Sequence, residues 1–350
     1  MTIPPFDDLA ADNARRHQAT LTKPPGSLGR LEDIACWFAG ATGRFPHRLP
    51  LQPAVLVFAG DHGVTAEGVS AYPSSVTLAM VANMVAGGAA INVLARSLGA
   101  PLHVVDVGCA SEPAVPREAP GVTYVPANVR RGTGNMRREP AMTRMQAEAA
   151  LEVGRRVARK AIESGADVLI PGEMGIGNTT SAAALVSVFT GEPPIITVGG
   201  GTGMEGAALA HKVQVVQDVL ERHRPVPGDP TGVLASVGGL ELAAMAGAML
   251  EAAAHRVPSI LDGYLANAAA LVARAIHPAV VPYLLAGHQS AERGAHAALH
   301  ALSLAPVLRL DLRLGEGSGA ALAIHLLRCA LELQCHMATF QSAGITGPHE

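Results

Sequence analysis

Two glutamates stand in matching surroundings. Val168–Pro171 leads into Gly172-Glu173-Met174-Gly175-Ile176-Gly177-Asn178-Thr179-Thr180, and Leu308–Leu314 leads into Gly315-Glu316-Gly317-Ser318-Gly319; an alanine-rich helical stretch follows each. Glycines at the end of a strand let backbone N–H groups approach an anion, and Asn178, Thr179 or Thr180 can cap the helix while donating to a phosphate. A carboxylate in such a loop repels phosphate. One occurrence is explained by a glutamate answering the helix dipole, but two at strand ends on one rim favour acid/base work. A second glycine cluster, Gly199-Gly200-Gly201-Thr202-Gly203, follows the apolar run Ile195–Val198 and reads either as further anion-binding backbone or as a flexible loop. The first segment is not a Walker loop, since no GKT or GKS follows, and it is not GxGxxG.

Other polar groups read less sharply. Asp61-His62 follows the run ending at Ala59 and suits a proton relay or a metal, but no second histidine lies at ligand spacing, so no metal site is predicted. His288, Ser290 and Glu292 have the residue types of a hydrolytic triad but lack a GxSxG elbow, and they are too close in sequence for triad geometry; a surface or helix-start cluster is expected. Arg130, Arg131, Arg137 and Arg138 form the densest positive cluster, read as a solvated or interface face with an anionic ligand as the alternative.

The elements that must carry these residues alternate. From about residue 53, short apolar runs, glycine-rich turns and alanine-rich helical stretches succeed one another, the signature of a parallel α/β sheet. Six strands are predicted, Ala54–Ala59, His103–Val107, Val168–Pro171, Ile195–Val198, Ser259–Leu261 and Val307–Leu312, in one doubly wound sheet. Thr143 and Gln146 form a capping box ahead of a helix through Ala150, Val153, Val157 and Ala161, and a second helix carries Leu209, Val213, Val216 and Leu220. Ser27 is the expected N-cap of a helix through Leu31, Ile34, Ala35 and Phe38. Residues 1–50 and 320–350 read as helical without strands, a small subdomain beside a large domain over 51–319.

Composition excludes several classes. The 350 residues are 49% hydrophobic and only 3% aromatic, with a formal charge of −3 and no long basic run, so neither nucleic acid nor an anionic membrane is an expected partner. Cys36, Cys109, Cys329 and Cys335 show no CxxC spacing and no local histidine pairing, which suits idle thiols in a reducing compartment. No signal peptide and no spanning helix are read, and the expected location is the cytoplasm.

Lys23–Glu32 (KPPGSLGRLE), Phe58–Val64 (FAGDHGV), Gly87–Asn92 (GGAAIN), Gly172–Thr180 (GEMGIGNTT), Val237–Glu241 (VGGLE), Leu261–Gly263 (LDG), His288–Gly294 (HQSAERG) and Arg313–Ala323 (RLGEGSGAALA) together resemble, in order, the nicotinate-nucleotide:5,6-dimethylbenzimidazole phosphoribosyltransferase family. The resemblance implies a homodimer of Rossmann-like α/β domains with a helical subdomain from both chain ends. It also implies transfer of phosphoribose from nicotinate mononucleotide to 5,6-dimethylbenzimidazole, giving α-ribazole 5′-phosphate, without cofactor or metal. Carried over by motif, Glu316 is the general base, and Glu173 and Lys212 are further catalytic candidates. Gly175, Gly177, Asn178, Thr179, Gly201, Thr202, Gly203, Gly315, Gly317, Ser75 and Met80 are the substrate-binding candidates. Two departures stand out: Gly200 and Met204-Glu205-Gly206 replace an arginine and an acidic run, and Leu78-Ala79-Met80 stands where many members carry a glutamine.

Two rival readings use the same glycine loops. A Rossmann dehydrogenase would need GxGxxG after the first strand and an acid about 20 residues on, neither of which is present. A non-catalytic nucleotide-binding module would leave Glu173 and Glu316 without a task.

Overall fold

The computed structural model describes residues 2–201 and 203–346. Seven strands, β1 Pro53–Gly60, β2 Leu102–Gly108, β3 Glu118–Ala119, β4 Val122–Pro126, β5 Val168–Met174, β6 Ser259–Leu261 and β7 Leu284–Ala286, form one sheet of order β3-β4-β2-β1-β5-β6-β7. All neighbours are parallel except the antiparallel β3–β4 edge. The helices are α1 Asp8–Gln18, α2 Arg30–Thr42, α3 Ser75–Val85, α4 Ala90–Leu98, α5 Arg144–Glu163, α6 Asn178–Thr190 and α7 Pro194–Thr197. After them come α8 Gly206–His223, α9 Pro230–Val237, α10 Leu240–Ala254, α11 Tyr264–Ile276, α12 Ala295–Leu302, α13 Ser318–His336 and α14 Phe340–Ala343.

β1 is buried at every position, as a central parallel strand covered by helices on both faces must be. One core packs α5, α6, α10 and α11 against one face, and a second packs α2, α3, α4 and α13 against the other. From β1 the chain moves outward through β2 to β4 and returns on the other side at β5. The order therefore reverses between β1 and β5, and the crevice beyond their carboxyl ends is where such sheets bind ligands.

Four strand predictions match sheet strands; two do not. Ile195–Val198 is not a strand: Pro194–Thr197 is a single helical turn, because Pro194 at the first helical position presets φ, and Ile195 and Ile196 point to solvent. Val307–Leu312 makes one bridge, His288 to Leu308, and then leaves the extended region at Asp311, whose φ is +54°. Three further strands were not expected from the sequence: β3 and β7 are short edge strands of two and three residues, and β4 is a five-residue strand beside β3. The helix after Lys23 starts at Arg30 behind Gly29, and Ser27 does not cap it; the Glu32 carboxylate instead accepts from Leu28 N–H at 3.0 Å and pairs with Lys23 at 2.8 Å. The Thr143/Gln146 capping box is formed.

Candidate active site

A cavity of about 310 Å³ opens at the carboxyl ends of β5 and β6. Gly172, Glu173, Gly175, Asn178, Thr179, Gly201, Gly203 and Gly315 line it, and so do Asp262, His288, Ser290 and Glu292. Gly177 sits just behind this wall as the N-cap of α6; its φ of +90° and its approach to the His62 and Thr65 side chains leave no room for a Cβ. Thr202 lies outside the described residues. Ser75 is an exposed residue at the start of α3 and Met80 packs into the second core, and neither lines the cavity.

The two Gly-Glu segments lie against each other. The Glu316 carbonyl packs on Gly172, and the Glu173 carboxylate packs on Gly315, so a Cβ at either glycine would overlap the other segment. Glu173 also accepts from the Asn178 side-chain amide. Burial pushes the Glu173 carboxyl well above the usual carboxylate range, and the negative charges of Glu241, Asp262 and Glu316 push it further. Glu316 is raised too, by burial, while a hydrogen bond from Ile91 N–H at 3.3 Å draws it back. Its side chain is outside the cavity wall, one residue behind Gly315. The upward push is the stronger at Glu173, where three neighbouring carboxylates add to burial, and at Glu316 the Ile91 N–H works against it.

Lys212 on α8 is 1% exposed, and its ammonium donates to Thr179 Oγ1 at 2.8 Å and to the Gly199 carbonyl at 3.2 Å. It stands 3.1 Å from where a Cβ on Gly201 would lie, directly under the second glycine loop. Burial lowers its pKa to about 8, against a raising influence from Glu292. Gly200 is enforced by the loop itself: its carbonyl accepts from Gly203 and Met204 N–H, and a Cβ there would stand 2.8 Å from the Met204 carbonyl. A side chain at that position would press on the Met204 carbonyl, and the cation that lies beneath the glycines is Lys212.

Residues read only in part from sequence take definite roles. Asp262, just after β6, accepts from the N–H groups of Gly317 (3.1 Å), Gly319 (2.6 Å) and Ala320 (3.3 Å). The Gly317 N–H is therefore already engaged and is not free for a phosphate. His288 and Ser290 are buried in the cavity wall and are not a surface cluster. They make no triad, because His288 Nε2 accepts from Leu310 N–H and Ser290 donates to the Leu312 carbonyl. His62 is wholly buried between Glu241, 2.8 Å from Nε2, and Ser181, 3.1 Å from Nδ1, so it ties the end of β1 to α10 and α6. Arg137 and Arg138 are answered by protein carboxylates, Glu67 for both and Asp218 for Arg137. Among the described residues no group of three or more histidine, cysteine or acidic side chains could hold a metal ion. Asp262, His288 and Ser290 lie in segments that carry the family resemblance, Leu261–Gly263 and His288–Gly294, but their burial is invisible in one sequence.

Residues 3–345 match a family described as phosphoribosyltransferase. The chain is 50% identical over 349 residues to the nicotinate-nucleotide–dimethylbenzimidazole phosphoribosyltransferase of Chloroflexus aggregans, spanning 99% of this chain and 97% of that one. It is 51% identical over 343 residues to the protein of the same name from Chromobacterium violaceum, with 98% of each chain covered. The crystal structure of the Thermus thermophilus protein of that name superposes with a TM-score of 0.90 at 46% identity, covering 98% of this chain and all of the other.

Proposed function

The chain belongs to the nicotinate-nucleotide–dimethylbenzimidazole phosphoribosyltransferases, and we propose that Glu316 is the general base of their reaction here, with Glu173 and Lys212 arranging the nucleotide. The enzyme transfers phosphoribose from nicotinate mononucleotide to 5,6-dimethylbenzimidazole, giving α-ribazole 5′-phosphate and nicotinate. One benzimidazole nitrogen attacks the anomeric carbon on the face opposite the pyridinium. The bond to the pyridinium nitrogen breaks, and the ring leaves neutral without needing an acid. The other nitrogen gives its proton to a carboxylate, so one base balances the step.

The observation that supports the assignment is the mutual packing of the two Gly-Glu segments, with Glu173 engaged by the Asn178 amide and Glu316 held at the start of α4 by Ile91 N–H. The glycine backbone around Gly175, Gly177 and Gly201, with Asn178 and Thr179, is suited to the phosphate, and the buried Lys212 ammonium supplies its countercharge. Incubation with nicotinate mononucleotide and 5,6-dimethylbenzimidazole should release nicotinate. Glu316→Gln keeps the size but accepts no proton, so turnover at saturating substrates should fall by roughly 100-fold or more while nucleotide affinity changes little. Near-normal turnover in that variant would move the base to Glu173.

We propose further that the enzyme works as a homodimer and resides in the cytoplasm. The four cysteines are unpaired, as suits a reducing compartment.

A further inference from the structure

Three successive residues, Gly315, Glu316 and Gly317, have φ values of +86°, +64° and +90°. The glycines tolerate this region freely; Glu316 does not, since its Cβ crowds the following carbonyl there. A non-glycine residue persists in such a conformation only where its surroundings over-determine it. Here the surroundings are Gly172, on which the Glu316 carbonyl packs, and the buried Asp262. Its two oxygens accept from Gly317, Gly319 and Ala320, and the remaining N–H at the start of α13, that of Ser318, donates to the Gly315 carbonyl at 3.0 Å. Those amides would otherwise draw an acidic side chain from the adjoining turn, and the nearest in sequence is Glu316 itself. With the helix start already filled, the Glu316 side chain turns away to the start of α4, where it meets Ile91 N–H. The packing leaves little slack, because a Cβ on Gly319 would meet both Asp262 and His288.

We propose that Asp262 is a positioning residue for this reaction: it holds the left-handed Gly-Glu-Gly turn and so aims Glu316 at the proton it removes. The proposal rests on Glu316 being the base. Asp262 acts before any substrate arrives, so nucleotide binding should be nearly indifferent to it while the chemical step is not.

A double-mutant cycle tests this on the full-length enzyme. Asp262→Asn keeps the volume but sets an amide N–H against one of the three donors. It should lower kcat by about 10- to 100-fold, with the KM for nicotinate mononucleotide within about threefold of the parent. In a Glu316→Gln background the same change should cost less than about threefold, because residues acting as a unit are not additive. Amide hydrogen exchange across residues 315–320 should quicken in Asp262→Asn and not in Glu316→Gln. An unaltered kcat in Asp262→Asn, or the same fold-loss in both backgrounds, overturns the proposal while leaving Glu316 as the base. Near-normal turnover of Glu316→Gln alone removes the base assignment and this proposal with it. If Asp262→Asn does not fold, Asp262→Glu, which shifts the carboxylate by one methylene against the same amides, is read through the same cycle.

Discussion

Lys212 is the residue whose ionisation should be visible in the rate. A lysine is seldom fully buried unless paired, and this one is held by a hydroxyl and a carbonyl with its pKa lowered to about 8. The protonated form carries the countercharge for the phosphate, so kcat/KM for the nucleotide should fall as pH rises through about 8. Glu316 must be ionised to act and its pKa is raised, so the rate should also fall as pH drops through a value above the ordinary carboxylate range. Lys212→Gln should lower kcat/KM by about 10- to 100-fold, the range for losing a hydrogen bond to a charged group, and should abolish the alkaline limb. An alkaline limb that survives in the variant belongs to another group. Glu173 and Glu316 were legible in sequence because an acid set among glycines, between an apolar run and an alanine-rich stretch, is an unusual pattern that occurs twice, although only the segment before Glu173 is a strand. Asp262 stood out only within the Leu261–Gly263 segment, and His288 and Ser290 read as a surface or helix-start cluster; only the folded chain buries all three in the cavity wall.

At the scale of elements, legibility followed periodicity and burial. α5 and α8 alternate apolar and polar faces and were found from sequence. α10, Leu-Glu-Leu-Ala-Ala-Met-Ala-Gly-Ala-Met-Leu-Glu-Ala-Ala-Ala, is buried from Leu240 to Ala253 and has no polar face to set a period. It crosses α5 at close range: a Cβ on Gly154 would overlap the Ala244 carbonyl, and one on Gly247 the Leu151 carbonyl. Two effects therefore oppose each other in Gly154→Ala. Helix propensity favours alanine by about 1 kcal/mol. Overpacking a close crossing costs about 1–3 kcal/mol, and the clash here is with backbone that cannot change rotamer. The contact should win, so Gly154→Ala or Gly247→Ala should lower the free energy of unfolding measured in denaturant, with the slope against denaturant unchanged. A stabilising effect in both would mean that the helices do not cross this closely. The short edge strands β3 and β7 were not expected from sequence, and the helical turn Pro194–Thr197 was read as a strand, because an apolar run of so few residues shows no period that separates helix from strand.

Among the described residues, a long apolar segment is only partly covered, with Val93 its exposed large hydrophobic side chain. Ser75–Leu98 has a mean hydropathy of 1.8 over its most apolar window, and only 39% of that window is buried. The segment cannot cross a bilayer as one helix, because Gly87 and Gly88 separate α3 and α4, of 11 and 9 residues. At about 1.5 Å per residue neither approaches the roughly 30 Å of a hydrocarbon core. A second copy of the chain is the occupant that the proposed homodimer supplies, and the face lies beside the catalytic apparatus, since α4 presents Ile91 N–H to Glu316. The native protein should then sediment at twice 35.8 kDa. Val93 on α4 is 57% exposed within one chain, so a charge there costs a lone protomer little but would be desolvated beneath a partner. Val93→Glu should therefore shift the sedimenting species toward the single-chain mass while the far-ultraviolet circular dichroism stays that of the parent. A wild-type chain that sediments alone removes the homodimer, whereas a dimer that survives Val93→Glu intact moves the interface off α3 and α4.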